Sequence, residues 1–279
     1  MRANIAGLHP LCNARGASTP MVDLTITFLG TGTSQGVPMI GCDCQVCLSS
    51  DPRDKRTRSS IFVESPECSW VIDTGTDFRT QCLRENVRNL DAVVYTHSHT
   101  DHIMGFDDLR VFCKGGRDLP IYASGPTMAD LQRVFSFAFD GRNRFPGYIL
   151  PVPHVVDGPF LLGETELVPL PVKHGRTEVL GYLFRRRGEK RVVYLSDCKE
   201  VPDEVVETLR GAPVLIVDAL RHRPHPTHFC FDEALGLARA AGVGRTWFTH
   251  LCHEVLHAEA EKELPPDVRI GYDGLKLEV

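Results

Sequence analysis

Four potential metal ligands are crowded into six residues directly after a predicted strand. Residues 96–102 have the sequence Thr-His-Ser-His-Thr-Asp-His. The run Asp91–Tyr95 before them is rich in β-branched residues and is typical of a buried strand. So many imidazole and carboxylate groups at a strand end are difficult to explain without metal. The fold must therefore surround this segment with further ligands.

The local geometry of this segment indicates two ion sites. Side chains alternate along an extended chain, so His97 and His99 lie on the same side. Asp101 and His102 follow at the start of a helix predicted to continue to about Phe112, where both can face a neighbouring ion. Each site is half built by this segment and needs partners from elsewhere.

Three further candidate ligands follow strand-like runs: His174, Asp197 and His250. Loops at strand ends can carry chemistry on a rigid support. Asp197 is the best candidate to bridge two ions, because a carboxylate has two oxygens and a neutral imidazole has one free nitrogen. Any one of the three would more often be an ordinary core or surface histidine, or a turn-forming aspartate. For all seven ligands together, that interpretation needs seven coincidences.

The order and spacing of these residues resemble the five motifs of the metallo-β-lactamase superfamily. The motifs are Asp73 in Val-Ile-Asp-Thr-Gly, the 97–102 run, His174, Asp197 and His250. The resemblance extends from about Leu24 to Val279. It implies an α/β protein with a four-layer αβ/βα metallo-β-lactamase sandwich and a dinuclear metal site at one end of its two sheets.

The resemblance also implies how the ligands divide. The first ion would be held by three histidines: His97, His99 and His174. The second would be held by Asp101, His102 and His250. Asp197 would contact both ions, and Asp73 would orient ligands by hydrogen bonds.

A second candidate metal site lies in a short cysteine loop. Cys42, Cys44 and Cys47 form a C-x-C-x-x-C pattern that can surround one tetrahedral ion. His253 is a plausible fourth ligand, and the adjacent Cys252 is its rival. Three incidental thiols or a redox pair are the alternatives.

The cysteine loop narrows the resemblance to one branch, the phosphoribosyl 1,2-cyclic phosphate phosphodiesterases of phosphonate metabolism. The shared elements are Phe28-Leu-Gly-Thr-Gly-Thr33, the cysteine loop, Asp107-Asp-Leu-Arg110, His250-x-x-His253 and Gly271-Tyr-Asp-Gly-Leu275. By this resemblance the three cysteines and His253 bind a structural zinc, which favours His253 over Cys252.

Two ions about 3.5 to 4 Å apart can hold a bridging hydroxide and neutralise charge on a phosphoryl or carbonyl oxygen. The expected activity is therefore hydrolysis, and the branch implies a small cyclic phosphate or related phosphodiester as substrate. Mixed His and Asp ligands suit Zn, Mn, Fe and Ni alike, so the ligand types do not predict which metal binds.

A phosphodiester also needs a proton on its leaving oxygen, and residues 220–232 contain three histidines suited to supply it. By resemblance His228 is the catalytic histidine, followed by His225 and His222. A solvated Pro-rich turn is the alternative. Asp101 is a further catalytic candidate, as a proton acceptor.

Three other functions fit the same motifs. An RNase Z-like nuclease shares the metal ligands but should need a basic arm or surface for RNA. A carboxylic ester or thioester hydrolase differs only in the scissile bond. A noncatalytic metal-binding scaffold would retain the fold and use the cleft only to bind a ligand.

Composition is that of an ordinary globular enzyme. The 279 residues are 42% hydrophobic and 24% charged, with a net charge of −5 that argues against a nucleic-acid partner. Ten cysteines without a disulfide-framework spacing indicate a reducing, cytoplasmic location. No apolar run is long enough for a membrane span. A homodimer is suggested by the resemblance alone.

The chain is expected to divide into two parts. Residues 22–279 should form one hydrolase domain. Residues 1–21 are expected to be a disordered extension, with either Met1 or Met21 as the true start and Cys12 outside any site.

Overall fold

The computed structural model describes residues 23–142 and 145–279. The predicted extension, residues 1–21, lies outside the described residues together with Met21 and Cys12. Between residue 23 and the end of the chain, leaving out 143–144, no helix is long and apolar enough to cross a bilayer.

Two sheets form the centre of the molecule. Within the described residues the strands are β1 (Thr25–Gly30), β2 (Ser60–Glu64), β3 (Ser69–Ile72), β4 (Ala92–Val94), β5 (Leu119–Ala123), β6 (Pro151–Val155), β7 (Phe160–Leu162), β8 (Thr165–His174), β9 (Thr177–Arg186), β10 (Glu189–Leu195), β11 (Val214–Asp218), β12 (Arg245–Thr249), β13 (Val268–Ile270) and β14 (Lys276–Glu278).

The helices are short and lie between the strands. They are α1 (Gln45–Leu48), α2 (Phe78–Arg84), α3 (Thr100–Ile103), α4 (Gly125–Val134), α5 (Ser136–Phe139), α6 (Asp203–Leu209), α7 (Phe231–Ala241) and α8 (His257–Glu263). Three 3₁₀ segments accompany them at Pro52–Asp54, Phe106–Phe112 and Lys114–Gly116.

Both sheets have seven strands and follow the same plan. The first runs β14-β1-β2-β3-β4-β5-β6, and the second runs β13-β12-β11-β10-β9-β8-β7. In the first sheet the pairs from β3 to β6 are parallel and the remaining pairs are antiparallel. In the second, the pairs from β10 to β13 are parallel and those from β7 to β10 are antiparallel.

Apolar side chains on both faces of each sheet build the four layers. Between the sheets, Trp70 and Phe184 meet edge to face with ring centroids 6.0 Å apart. Helices α2 and α4 cover the outer face of the first sheet, and α6, α7 and α8 cover the second. A strand buried on both faces has a continuous apolar sequence, as β11 does. The predicted four-layer sandwich is confirmed.

The helix predicted to run from Asp101 to Phe112 is instead broken near Gly105. Helix α3 ends at Ile103, and a 3₁₀ segment begins at Phe106. A Cβ on Gly105 would overlap the Gly75 carbonyl oxygen, and a Cβ on Gly75 would overlap that of Asp101. The chain after the metal motif is thus shaped by this close packing, which helix periodicity does not reveal.

Arg186 forms a buried ion-pair network that ties the second sheet to the first. Its guanidinium donates to both carboxylate oxygens of Glu67 at 2.6 and 2.8 Å and lies 3.5 Å from Asp23. The Arg186 side chain is only 1% exposed. Asp23 also pairs with Arg191 at 2.7 Å, so loss of Arg186 would remove the cation from Glu67 but not from Asp23.

We predict that Arg186→Met lowers the free energy of unfolding by about 2 kcal/mol, because Glu67 loses two charge-assisted hydrogen bonds from a buried guanidinium. Urea unfolding followed by circular dichroism measures this loss. The neighbouring Arg185, which lies 3.5 Å from Glu166 on the surface, is the control. Arg185→Met should change stability by less than about 0.5 kcal/mol. Equal effects of the two substitutions would contradict the importance of burial.

The Arg186 contribution should also depend on pH. Hydrogen bonds from Arg186 hold the pKa of Glu67 below its ordinary value, although burial opposes this. A depressed carboxyl pKa contributes stability above the unfolded pKa of about 4.3, and this is lost as pH falls through the folded pKa. The stability difference between wild type and Arg186→Met should therefore shrink between pH 6 and pH 3. A constant difference would contradict the assignment.

Candidate active site

The predicted ligands meet where strands of both sheets end. Asp73 follows β3, the 97–102 segment follows β4, and His174 ends β8. Asp197 and His250 follow β10 and β12. Local sequence places each side chain just beyond a buried strand, and the packing of the two sheets brings the loops together.

Two groups of side chains could each hold a metal ion. In each, one ligand atom per residue lies within 4.8 Å of all the others. The first group consists of His97, His99, His174 and Asp197. The second consists of Asp101, His102, Asp197 and His250. The division is the one predicted, with Asp197 in both groups, although the ligand roles themselves stay predictions.

In the first group the three rings converge on Asp197. His97 Nε2 lies 2.9 Å from His99 Nδ1 and 3.9 Å from Asp197 Oδ2. His174 Nε2 is also 3.9 Å from Asp197 Oδ2. His174 Nδ1 donates to the Thr227 carbonyl oxygen at 2.7 Å, which leaves the Nε2 lone pair directed toward the group.

The second group is more compact and more deeply buried. Asp197 Oδ2 is 3.5 Å from His102 Nε2, and Asp197 Oδ1 is 3.1 Å from His250 Nε2. Asp101 Oδ2 lies 3.3 Å from His102 Nε2 and 3.9 Å from His250 Nε2. Because its two oxygens face different rings, Asp197 has the geometry expected of a bridging ligand.

Asp73 has the orienting position predicted for it. One carboxylate oxygen accepts the Thr96 backbone N–H at 2.9 Å. The other accepts the Thr96 hydroxyl at 2.8 Å and His102 Nδ1–H at 2.7 Å. These bonds fix the ring of His102 and direct its Nε2 into the second group.

The chemistry of the second group fits a metal ion. His102 Nε2 and His250 Nε2 are buried, yet neither has a hydrogen-bond partner. Buried polar atoms are nearly always paired in native proteins. Imidazole nitrogens and carboxylate oxygens in this arrangement are ligands of Zn²⁺ and related divalent ions.

Mutual attraction determines the charge states in this centre. Burial opposes ionisation of Asp197, but His250 and His102 outweigh it and hold the pKa of Asp197 well below its ordinary value. Burial likewise opposes protonation of His102, but Asp197, Asp73 and Asp101 raise its pKa. Burial and the nearby His102 lower the pKa of His97. The Asp197 carboxylate therefore stays ionised at neutral pH, as a metal ligand must be.

Sequence reasoning missed Asp218, the last residue of β11. Its Oδ2 accepts His228 Nδ1–H at 2.6 Å and the Cys198 backbone N–H at 2.9 Å. Its Oδ1 lies 3.8 Å from His250 Nδ1. The available signal was an aspartate at the end of the apolar run Val-Leu-Ile-Val, ten residues before a candidate catalytic histidine.

His228 lies directly beside the metal groups. Its ring centroid is 4.5 Å from those of His174 and His250. His225 lies further out, with its ring 5.1 Å from that of His228. His222 packs on Phe231 instead, with ring centroids 4.3 Å apart. Of the three candidate acids, the structure thus brings His228 nearest to the predicted ions.

Asp197, Asp218, His228 and His250 form a further cluster of possible ligands. We do not assign an ion to it, because His228 Nδ1 and Asp218 Oδ2 already share a short hydrogen bond. A direct bond of this kind leaves these two atoms no role as ligands. The Asp218–His228 pair is better described as a histidine held in one orientation beside the predicted ions.

The cysteine loop forms a separate site with His253. The Nδ1 atom of His253 lies 3.2, 3.5 and 3.8 Å from the Sγ atoms of Cys42, Cys44 and Cys47. A tetrahedral zinc with ordinary bond lengths separates sulfur and nitrogen ligands by roughly 3.6 Å. The geometry fits one zinc ion, and the fourth member of the group is His253 rather than Cys252.

One thiol of the loop, that of Cys44, is electrostatically prepared for a cation, whereas burial raises the pKa of Cys47 to about 11. The Cys47 backbone N–H lies 3.4 Å from Cys44 Sγ and, with the neighbouring thiols and His253, lowers the pKa of Cys44 to about 6. The thiolate, which is the form that binds metal, therefore predominates at neutral pH.

The family model of the β-lactamase superfamily domain matches residues 70–251. The chain belongs to the metallo-β-lactamase superfamily. The matched span contains all seven predicted ligands of the dinuclear centre, and it ends one residue after the last of them, His250. The predicted superfamily is thus confirmed.

Two relatives refine this assignment. A crystal structure of a diphosphatase from the PhnP family is 42% identical, with a TM-score of 0.84 over 92% of this chain and 97% of that chain. An octanoyltransferase from Porphyromonas gingivalis is 38% identical over 89% of this chain. The chain spans only half the length of that protein.

A ribonuclease Z from Bradyrhizobium diazoefficiens is more distant. It is 26% identical over 69% of this chain and 61% of its own length. Family membership and the likeness to the diphosphatase identify the chain as a metal-dependent hydrolase of the metallo-β-lactamase fold that resembles the PhnP branch.

We predict that Cys44→Ser lowers the zinc content of the purified protein by one ion per chain, because a hydroxyl is a poor replacement for a thiolate ligand. Elemental analysis measures this directly. The thermal unfolding midpoint should fall as well, since metal binding contributes folding free energy. Cys82→Ser is the matched control, because Cys82 lies outside every group that could hold metal in the described residues. Unchanged zinc in Cys44→Ser would contradict the assignment.

Proposed function

We propose that this protein is a metal-dependent phosphodiesterase that acts on a small cyclic phosphate or a related phosphodiester. The observation that carries the proposal is the Asp218–His228 pair, which holds an oriented imidazole beside two groups of potential metal ligands. A phosphodiester needs both charge stabilisation and a proton for its leaving oxygen. The likeness to a diphosphatase supports phosphorus as the site of attack.

The metal ligands we propose are those of the two groups. His97, His99 and His174 would hold one divalent ion, and Asp101, His102 and His250 would hold the other. Asp197 would contact both. Two such ions lower the pKa of water and neutralise charge on a phosphoryl oxygen. Zn, Mn, Fe and Ni remain the candidates here, and Cys42, Cys44, Cys47 and His253 would hold a structural Zn.

His228 would supply the proton to the leaving oxygen. Asp218 accepts the proton of His228 Nδ1, so the ring orientation is fixed and Nε2 is the nitrogen free to act. When Nε2 also carries a proton, the Asp218 carboxylate compensates the positive charge of the ring. Transfer of the Nε2 proton to the departing alkoxide then returns the ring to its neutral form.

Asp101 is proposed to accept a proton in the same centre. Burial opposes its ionisation, but His102 and His250 lower the pKa of Asp101 far below its ordinary value. The carboxylate is thus ionised at neutral pH. It faces His102 and His250 within the second group, where it would orient the water that attacks phosphorus.

The same metal centre could act on two other substrates, a thioester or RNA, and these are the alternatives to a small phosphodiester. A thioester is tested because a relative carries the name octanoyltransferase. RNA is tested because another relative is named ribonuclease Z. We expect a small phosphate ester as the partner rather than nucleic acid, in line with the net charge of −5.

We predict that His228→Ala lowers kcat for bis(p-nitrophenyl) phosphate by roughly 10²- to 10⁴-fold, the usual contribution of a general acid. Metal content should stay unchanged, which elemental analysis of the same sample checks. His222→Ala is the control, because His222 packs on Phe231 away from the centre.

The substrate panel decides between the functions. Cyclic ribose phosphates, a dinucleoside diphosphate, octanoyl thioester and precursor transfer RNA are assayed beside the model diester. Cleavage of the thioester or RNA alone would overturn the phosphodiesterase proposal and leave the hydrolase fold intact. An equal loss of kcat in His222→Ala and His228→Ala would contradict the assignment of His228 as the acid.

We also predict that Asp218→Asn lowers kcat by about 10- to 100-fold, as expected for loss of a group that orients a functional histidine. An asparagine amide cannot compensate the charge of a protonated His228. KM should change little, because Asp218 is fully buried and would not contact the substrate. A larger change in KM than in kcat would contradict this positioning role.

A further inference from the structure

A groove lies on the outer side of the first sheet, lined by helix α2, the turn after it and the 3₁₀ segment Phe106–Phe112. We call it the α2 groove. Its volume is about 350 Å³, within the range of roughly 300 to 1,000 Å³ of small-molecule pockets. None of the residues that line it belongs to either group of predicted metal ligands, and no step of the proposed reaction uses it.

Much of the α2 groove is apolar. Phe78 and Phe112 are buried at it, with ring centroids 6.4 Å apart. Leu83 and Val111 also line it, yet they are 62% and 50% exposed. A hydrocarbon group in the groove would remove these two side chains from water, which is favourable in proportion to the apolar area buried. The lining therefore favours a ligand with a compact apolar body.

Three cations line the same groove: Arg79, Arg88 and Lys114. Among residues 23–142 and 145–279 none of the three forms an ion pair. Arg88 donates to the Asn86 amide oxygen at 2.6 Å, which leaves its charge uncompensated. Asp108 is the one carboxylate in the lining, so the groove has a surplus of two positive charges. An anionic group is complementary to this charge.

The other titratable groups of the α2 groove do not reverse its charge. Burial and the neighbouring Asp107 raise the pKa of Asp108, while Arg79 and Arg110 oppose this rise. Burial and the nearby Asp108 raise the pKa of the Cys82 thiol to about 12, so the thiol is neutral. A ligand anion would thus meet one carboxylate and would be stabilised on the side of the arginines.

We infer that the α2 groove binds a small amphipathic carboxylate, a molecule with an apolar body and one carboxylate group. The apolar body would lie on Phe78, Leu83 and Val111, and the carboxylate beside Arg79 or Arg88. A guanidinium group can bind a carboxylate through two parallel hydrogen bonds. A partner protein fits less well, because a stable interface covers roughly 800 Å² on each side, much more than a groove of this volume offers.

Three probes separate the two parts of the ligand. 4-Phenylbutyrate has both the apolar body and the carboxylate, 4-phenylbutan-1-ol lacks the charge, and acetate lacks the apolar body. Calorimetric titration of the metal-loaded protein measures their affinities. We expect 4-phenylbutyrate to bind with a Kd of about 1 mM or lower, which is reasonable for a ligand of its size. The alcohol and acetate should each bind at least about tenfold more weakly, since each loses one kind of contact.

Matched variants identify the groove as the binding site. Leu83→Asp should weaken 4-phenylbutyrate binding by about tenfold or more, because it removes apolar contact and repels the carboxylate. Leu161→Asp is its control, since Leu161 on β7 is 51% exposed and lies outside the groove. Arg79→Gln should weaken binding of the carboxylate but not of the alcohol. Arg239→Gln, at an exposed position of α7, should change neither affinity.

Each other outcome would overturn the inference. If Leu83→Asp and Arg79→Gln bind 4-phenylbutyrate as wild type does, the carboxylate binds elsewhere, for example at the predicted ions. If the alcohol binds as tightly as the carboxylate, the cations have no role. If 4-phenylbutyrate does not bind, the groove is not a ligand site. If sedimentation shows a dimer that Leu83→Asp dissociates, a second copy of the chain occupies the groove.

Discussion

The centre of this molecule depends on the compensation of four buried carboxylates. Asp73, Asp101, Asp197 and Asp218 all lie in or beside the candidate centre, and each is less than a tenth exposed. An isolated buried carboxylate is very costly, so every one of them needs donors or cations. Asp73 and Asp218 receive N–H groups from His102 and His228. These same hydrogen bonds turn the other ring nitrogen of each histidine toward the centre. The bonds that compensate the carboxylate charges therefore also orient the two histidine rings.

The sequence was sufficient for the parts of the centre that depend on local spacing. The crowding of ligands in residues 97–102 and the positions of His174, Asp197 and His250 after strands predicted two groups that share Asp197, and the superfamily they indicated is confirmed. Asp218 was missed because its role depends on an approach to His228 across a loop, and an aspartate at a strand end has many ordinary explanations. The break at Gly105 was missed because its cause is contact with Gly75, far away in the chain.

The candidate ligands come from two different sheets, so the distances between them depend on how the sheets pack together. The first sheet contributes the ligands that follow β4, and the second contributes those at the ends of β8, β10 and β12. Their separation is determined by the apolar layer in which Trp70 and Phe184 pack. Because a misplacement of about 1 Å can cost 10²-fold in rate, this layer must be rigid for functional as well as structural reasons.

The cysteine loop provides a second constraint on the same geometry. His253 lies among its thiols, three residues after His250, while Leu251 between them accepts the Thr33 N–H and donates to the Thr31 carbonyl. His250 itself has a left-handed backbone conformation with φ of 59°, which a non-glycine residue adopts only when its surroundings hold it there. A zinc ion bound by His253 would fix the chain on one side of His250, and β12 fixes it on the other. A structural ion at this position would thus act on the candidate active site by restricting where His250 can lie, although it would contact no reacting group.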